Sequence, residues 1–198
     1  MGMFTGIIQS IGILKKKEQN DNSVLFGIED AAIYAQVQEG SSVAVAGVCL
    51  TVKEKKEAML YFDVMIETIR KTTLEQFTNG QRVNLEPGLK IGDELGGHFV
   101  YGHVSAVAEV TDVVFDGPSI LLSVRVPQEQ TRYIVPESSI TIDGVSLTVA
   151  RAQGDLVTVS LVDYTLEHTT LHMLEPGDRV NIEVDMLAKY IEKLLSNS

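Results

Sequence analysis

Short stretches in which apolar residues alternate with polar ones or run together, rich in Val, Ile and Leu, recur along the whole chain. They are GIIQSIGIL (6–14), SVLFGIE (23–29), SVAVAGVCLTV (42–52), AMLYFDV (58–64) and RVNLE (82–86), then HVSAVAEV (103–110), ILLSVRV (120–126), SITIDGVSLTV (139–149), LVTVSLV (156–162) and RVNIEV (179–184). The separators EQNDNS, EKKEA, FDGPS and AQGD carry turn chemistry. Strand-length segments parted in this way predict antiparallel sheet. Closing such a sheet into a barrel removes its exposed edges. One short helix is expected in each half, near Asp30–Gln36 and Gln128–Tyr133. The period changes in DMLAKYIEKLLSNS (185–198), where Leu187, Ile191 and Leu194, with Tyr190 and Leu195 beside them, share one helical face. A helix of about three turns is marginal alone. Its apolar stripe therefore packs on a barrel of its own chain or on a second copy.

The two sets of segments are copies of one another. Sliding the chain by 97 positions brings AGVCLTV (46–52) onto DGVSLTV (143–149) and FDVMIETIRKTTLEQFTNGQRVNLE (62–86) onto VSLVDYTLEHTTLHMLEPGDRVNIE (159–183). Nine of the 25 residues in the longer window are identical, among them Arg82, Asn84 and Glu86, which recur as Arg179, Asn181 and Glu183. A slide of 96 brings FTGIIQSIG (4–12) near VYGHVSAVA (100–108). A repeat of this length fixes the domain organisation. We expect an N-terminal barrel over 1–97, a C-terminal barrel over 98–185 and a terminal helix over 186–198, joined through the glycine-rich LKIGDELGG (89–97).

Composition narrows the function classes. With 198 residues, 44% apolar and 22% charged, the chain is ordinary for a globular protein, and its longest apolar run falls short of a membrane span. MGMFTGIIQS lacks the basic start and cleavage site of a signal peptide, so the expected location is the cytoplasm. A net charge of −11 without a basic stripe argues against nucleic acid or an anionic membrane as partner. Lys15-Lys16-Lys17, diluted by Glu18 and Asp21, is expected at a solvated hairpin end. Cys49 stands alone, so no internal disulfide can form, and none of the usual Cys/His metal spacings occurs.

Three constellations carry chemistry. Cys49 and Ser146 precede equivalent LTV strands, so a shared fold puts a thiol and a hydroxyl at equivalent corners of two pockets. Each is either a small buried residue or part of a site. GVSLTV lacks the strand-to-helix context of a nucleophile elbow, which favours hydrogen bonding or acid/base work over covalent attack. His98 and His103, in GGHFVYGHVS (96–105), are five apart on an extended segment and point to opposite faces, so they do not chelate a metal as a pair. His103 stands where the first copy has Ile7, which gives one pocket a titrating group suited to proton transfer; a structural histidine at the joint is the alternative. His168 and His172 replace Lys71 and Glu75 and are expected to face solvent. FDVMIET (62–68) and VSLVDYT (159–165) place Asp63, Glu67, Thr68, Ser160, Asp163 and Thr165 where a strand gives way to a turn, a suitable place to hydrogen-bond a polyol or heterocycle edge.

MFTGIIQ, GVCLTV, FDVMIET, RVNLE, GGHFVYGHV, IDGVSLTV and RVNIEVD, in this order over essentially the whole chain, resemble the riboflavin synthases of the α-chain type. The resemblance implies two six-stranded antiparallel Greek-key barrels and a C-terminal helix that assembles a homotrimer. It implies dismutation of two molecules of 6,7-dimethyl-8-ribityllumazine into riboflavin and 5-amino-6-(ribitylamino)uracil, without metal or organic cofactor, at sites formed between subunits. Lumazine synthase is a further candidate partner. Carried over position by position, the family's binding residues are Gly6, Ile7, Ile8, Ser42, Cys49, Leu50, Thr51 and Asp63, Val64, Met65, Ile66, Glu67 and Thr68 for the first barrel. For the second they are Gly102, His103, Val104, Ser146, Leu147, Thr148 and Ser160, Leu161, Val162, Asp163, Tyr164 and Thr165, with Glu137 where the family usually has a lysine. Cys49, His103, Ser146 and Thr148 are the expected catalytic groups, supported by Asp143, Asp185 and His98. The chain also departs from the family pattern at Ala46 and at Ser105-Ala106. Antenna or carrier relatives, which bind a lumazine or flavin without turning it over, are the alternative.

Overall fold

The computed structural model describes residues 2–117 and 119–195. The first half is a closed antiparallel barrel of β1 (Ser10–Gln19), β2 (Ser23–Glu29), β3 (Ser42–Val45), β4 (Val48–Lys56), β5 (Met59–Met65) and β6 (Arg82–Pro87), in the order β1-β2-β5-β4-β3-β6. The second repeats that circular order with β7 (Ala106–Asp116), β8 (Ser119–Arg125), β9 (Ser139–Ile142), β10 (Val145–Gln153), β11 (Leu156–Leu161) and β12 (Arg179–Val184). The tandem barrels expected from the repeat are therefore present.

Each barrel closes on its own core. Leu14, Phe26, Phe62 and Leu85 fill the first, and Leu122, Ile140, Ile142 and Val159 fill the second, all essentially inaccessible. At roughly 1.5–3 kcal/mol for each fully buried large side chain, these residues dominate the stabilisation of each half. The side chains alternate along β4: Val48, Leu50 and Val52 point into the core, while Cys49 and Thr51 point outward. β10 repeats this with Val145, Leu147 and Val149 inward and Ser146 and Thr148 outward. The candidate chemistry thus lies on the outer walls of the barrels, not inside them.

The helices differ from the pattern reading. Helix α1 (Ala31–Gln36) is capped by Asp30, whose Oδ1 accepts from the Ile33 amide at 2.6 Å, and Gln128–Tyr133 is a 3₁₀ turn. In addition, α2 (Ile66–Lys71) and α3 (Asp163–His168) follow β5 and β11, each leading into a 3₁₀ turn, Thr73–Gln76 and Thr170–Met173. Six residues are too few to show a helical period, and unlike α1, which Asp30 caps, neither has a side-chain cap to mark its start. Lys17 is not at a hairpin end: it lies in β1, and its ammonium donates to the carbonyls of Leu74, Glu75 and Phe77 at 3.2, 2.7 and 3.0 Å, closing the end of the first 3₁₀ turn. The terminal helix α4 (Met186–Leu195) begins at Asp185, whose carboxylate accepts from the Leu187 amide at 2.9 Å.

The strands expected to begin at Gly6 and His103 instead begin at Ser10 and Ala106. The residues ahead of them cross between barrels. Phe4 and Val100 form an antiparallel bridge, with N–H to O distances of 2.8 and 3.1 Å. Around this bridge the two halves are related by a pseudo-twofold. Asn84 receives the Thr170 amide at 2.8 Å and donates to the Asp143 carbonyl at 3.0 Å, and Asn181 receives the Thr73 amide at 2.8 Å and donates to the Ala46 carbonyl at 2.9 Å. Gly47 and Gly144 meet on the axis, where a Cβ on Gly47 would stand 2.6 Å from the Gly144 nitrogen.

Candidate active site

The β4–β5 ladder begins at Val52 and the β10–β11 ladder at Val149, which leaves the outer amides of Cys49 and Ser146 without a strand partner in their own barrel. The crossing segments supply it. The Cys49 amide donates to the Gly102 carbonyl at 2.9 Å, and the Ser146 amide donates to the Gly6 carbonyl at 2.7 Å. Both glycines have positive φ, +69° and +77°, and a Cβ on either would lie 2.6 Å from the Cβ of Cys49 or Ser146. Only glycine permits this approach. The sequence order is thereby exchanged: Gly6–Ile8 complete the second barrel's mouth, and Gly102–Val104 complete the first. Val104 packs on the first core and Ile8 on the second, which corrects their expected assignment by chain position.

The glutamate of each RVN motif holds the crossing segment in place. Glu86 accepts from the Thr5 amide and hydroxyl at 2.7 and 2.8 Å and from the Gly6 amide at 3.0 Å. Glu183 accepts from the Tyr101 and His103 amides at 2.8 and 2.9 Å. Burial raises the pKa of both carboxyls, and the backbone donors pull it back. These residues and the two asparagines were not among the sequence candidates. Their recurrence in both copies was the available signal.

The two mouths differ chemically. At the second, His98 Nδ1 lies 2.8 Å from Ser146 Oγ while the His98 amide donates to the Thr5 carbonyl at 3.1 Å. Burial holds the His98 pKa below its ordinary value and nearby Asp185 opposes that shift, so the imidazole favours its neutral form, able to exchange a proton with the serine hydroxyl. A depression of about 60 Å³ beside it is lined by Gly6, Ile7, Ser146, Tyr164, Thr165 and His168. At the first mouth, the half-buried Cys49 packs against Phe4, Ala44 and Val100, and His103 is exposed with its ring 6.3 Å from that of Tyr101. The mouths also differ at their rims: Glu67 and Lys71 form an ion pair at 2.6 Å, whereas at the equivalent positions Tyr164 and His168 stack at 4.1 Å.

The remaining candidates are distributed unevenly. Thr51 and Thr148 are exposed on the outer walls, and Ser42 pairs with Thr51 across β3 and β4. Asp63, Met65, Glu67, Ser160, Val162, Asp163 and Tyr164 are exposed at the strand-to-helix corners, with Ile66, Thr68 and Thr165 half-buried. Leu50, Val64, Leu147 and Leu161 turn their side chains into the cores and are paired in the strand ladders. Asp143 sits between the barrels, its Oδ1 accepting from the Asn181 amide at 2.8 Å. Burial raises its pKa to about 7, with the Asn181 donor opposing and the Asp178 charge adding to the rise. Glu137 is exposed with φ +68°. Among the described residues no group of three or more His, Cys, Asp or Glu is placed to hold a metal ion.

Comparison with known proteins accounts for the doubled geometry. The family model of the lumazine binding domain matches twice, over residues 5–87 and 101–185. The chain belongs to the lumazine-binding-domain family. Relatives in that family include the riboflavin synthase of Brucella abortus (strain 2308), 39% identical over 97% of this chain and 98% of its own. Those of Bacillus subtilis (strain 168) and Mycobacterium tuberculosis (strain H37Rv) are 37% and 38% identical, over 98% and 99% of this chain and 90% and 100% of theirs. Crystal structures of LumP complexed with 6,7-dimethyl-8-(1'-D-ribityl) lumazine and with riboflavin superpose with TM-scores of 0.84 and 0.86 at 29% and 30% identity, covering 92% of this chain and 99% of LumP. Each match to the family model spans the six strands of one barrel, so the doubling of the chain is a doubling of lumazine binding domains.

Proposed function

We propose that the chain is a riboflavin synthase that converts two molecules of 6,7-dimethyl-8-ribityllumazine into riboflavin and 5-amino-6-(ribitylamino)uracil. The observation that carries this reading is the pair of equivalent mouths with unlike polar groups, Cys49 at one and hydrogen-bonded Ser146–His98 at the other. A dismutation needs two identical molecules to play different parts, one giving up a four-carbon unit and the other accepting it. Full-length likeness to riboflavin synthases at 37–39% identity supports the same conclusion.

In this mechanism each mouth holds one lumazine. Backbone amides and carbonyls of the LTV strands read the pyrimidine edge, and the polar corners, Asp63 to Thr68 and Ser160 to Thr165, hold the ribityl hydroxyls. Neutral His98, linked to Ser146, relays a proton at the second mouth, while Cys49 and His103 serve the first. Most of the acceleration comes from holding two reactants in attack geometry. On a single chain the mouths belong to different barrels, and the exposed apolar face of α4 supports assembly of a cytoplasmic homotrimer in which mouths of neighbouring subunits face one another.

The crystal structures of LumP complexed with 6,7-dimethyl-8-(1'-D-ribityl) lumazine, with flavin mononucleotide and with riboflavin favour a second reading, a carrier that binds without turnover. Incubating purified protein with 6,7-dimethyl-8-ribityllumazine and following the visible absorbance separates the two. The synthase produces the riboflavin spectrum continuously; a carrier shows saturable binding and an unchanging lumazine spectrum.

A further inference from the structure

The motif R-V-N-L/I-E sets arginine, asparagine and glutamate on alternate positions of β6 and β12, and hence on one side of each strand. Glu86 and Glu183 hold the crossing segments, and Asn84 and Asn181 staple the barrels together. The arginines have no such employment. Among the described residues neither Arg82 nor Arg179 has an ion pair or a side-chain hydrogen bond. Both line one cleft of about 270 Å³ that straddles the pseudo-twofold between the barrels; the binding positions carried over from the family all lie outside it, and of the expected catalytic supports only Asp143 lines it.

Three equivalent pairs in the cleft have diverged between the copies, Gln76 to Met173, Phe77 to Leu174 and Gln81 to Asp178, while the arginine and the threonine, Thr73 and Thr170, are the same in both. The wall also contains Thr73, 4% exposed, whose hydroxyl has no partner. Two carboxylates share the space. Asp143 has one oxygen engaged by the Asn181 amide and Asp178 has one engaged by the Glu175 amide, at 2.8 Å each. Because the Asp143 pKa is raised to about 7, a substantial share of that group is uncharged near neutrality. An acidic protein that leaves two guanidinium groups without carboxylate partners in one recess has the donors for an oxyanion, since guanidinium groups bind phosphate and carboxylate through paired N–H bonds.

The geometry points to a binding site between the barrels for one compact oxyanion of two or more charges, a phosphate group or a short dicarboxylate, held by Arg82 and Arg179. Gln76 and Gln81 also line the cleft, and each carries a side-chain amide, a neutral donor. The site is distinct from both mouths, so its occupant is not the lumazine of the proposed reaction.

Isothermal titration of the full chain with inorganic phosphate and, separately, with succinate tests the site. One saturable site per chain is expected for at least one of them. Arg82→Gln and Arg179→Gln should each weaken it about tenfold, the loss of one charge-assisted contact, and the double variant should abolish it. Asp178→Asn should tighten it. Binding of phosphate without succinate assigns the site to a phosphate group, and the reverse assigns it to a dicarboxylate. Absence of saturable binding by both anions, or undiminished binding in a double variant that keeps its thermal transition, overturns the proposal. Riboflavin formation is a separate readout, so failure here leaves the proposed reaction standing.

Discussion

At the scale of the residue, the division of labour between Cys49 and Ser146 makes predictions that a merely structural role does not. Replacing His98 by Asn removes the proton relay to Ser146 and should lower kcat about a hundredfold while leaving lumazine binding at the first mouth intact; a kcat within threefold of the parent would assign His98 a structural part. Asp143 offers a stability test. Its folded pKa of about 7 exceeds the ordinary 3.8, so the native state holds more protons than the unfolded state across that window. Stability from this group is full below about 3.8 and is lost as pH rises through about 7. Asp143→Asn keeps an acceptor for the Asn181 amide and cannot ionise. Between pH ~5 and ~8 it should therefore gain more than about 1 kcal/mol relative to the parent in urea unfolding; parallel pH profiles would contradict the shift. Of these residues, Cys49 and Ser146 were legible because the heptapeptide is written twice. The contact of His98 with Ser146 was not, since it depends on a crossing between barrels that no local pattern encodes.

At the scale of the element, the crossing segments decide which barrel owns which mouth. Glu183→Gln replaces one accepting oxygen by a donor that opposes the Tyr101 or His103 amide, a change that costs about 1–3 kcal/mol. Because Glu183 holds the segment above Cys49, this variant should impair the first mouth, and Glu86→Gln the second. Titrating each with lumazine and resolving two binding steps checks the assignment; the opposite pattern would restore ownership by chain position. The barrel strands could be read from alternation alone, because one face of each is buried. The entry segments could not. Their apolar residues mimic strand starts, yet their amides are taken by Glu86 and Glu183 and their carbonyls by the opposite barrel. Helices α2 and α3 escaped because they are short and lack the side-chain cap that marks α1.

At the scale of the molecule, α4 leaves Leu187, Tyr190, Ile191, Leu194 and Leu195 between 57 and 72% exposed, a stripe that its own barrel does not cover. The helix is nevertheless fixed to that barrel: Arg132 and Tyr133 each contact Glu192 at 2.6 Å, and Lys189 donates to Ser105 at 2.8 Å. An anchored helix with its apolar face outward is suited to self-association. If the full chain sediments as the proposed trimer, deleting residues 186–198 should leave folded monomers and reduce turnover by at least about a hundredfold; a fully active monomer would remove the need for a site shared between subunits. The apolar spacing of the terminal segment was legible, although the last three residues of that segment lie outside the described residues.

The central claim is that a doubled scaffold carries out a reaction between two copies of one molecule. Chromatographic quantification of the products formed from 6,7-dimethyl-8-ribityllumazine by the purified full chain alone tests it most directly. Riboflavin and the ribitylaminouracil are expected in equal amounts, each half of the lumazine consumed. Lumazine recovered unchanged from a protein that binds it tightly, or riboflavin formed without its pyrimidine counterpart, would contradict the account.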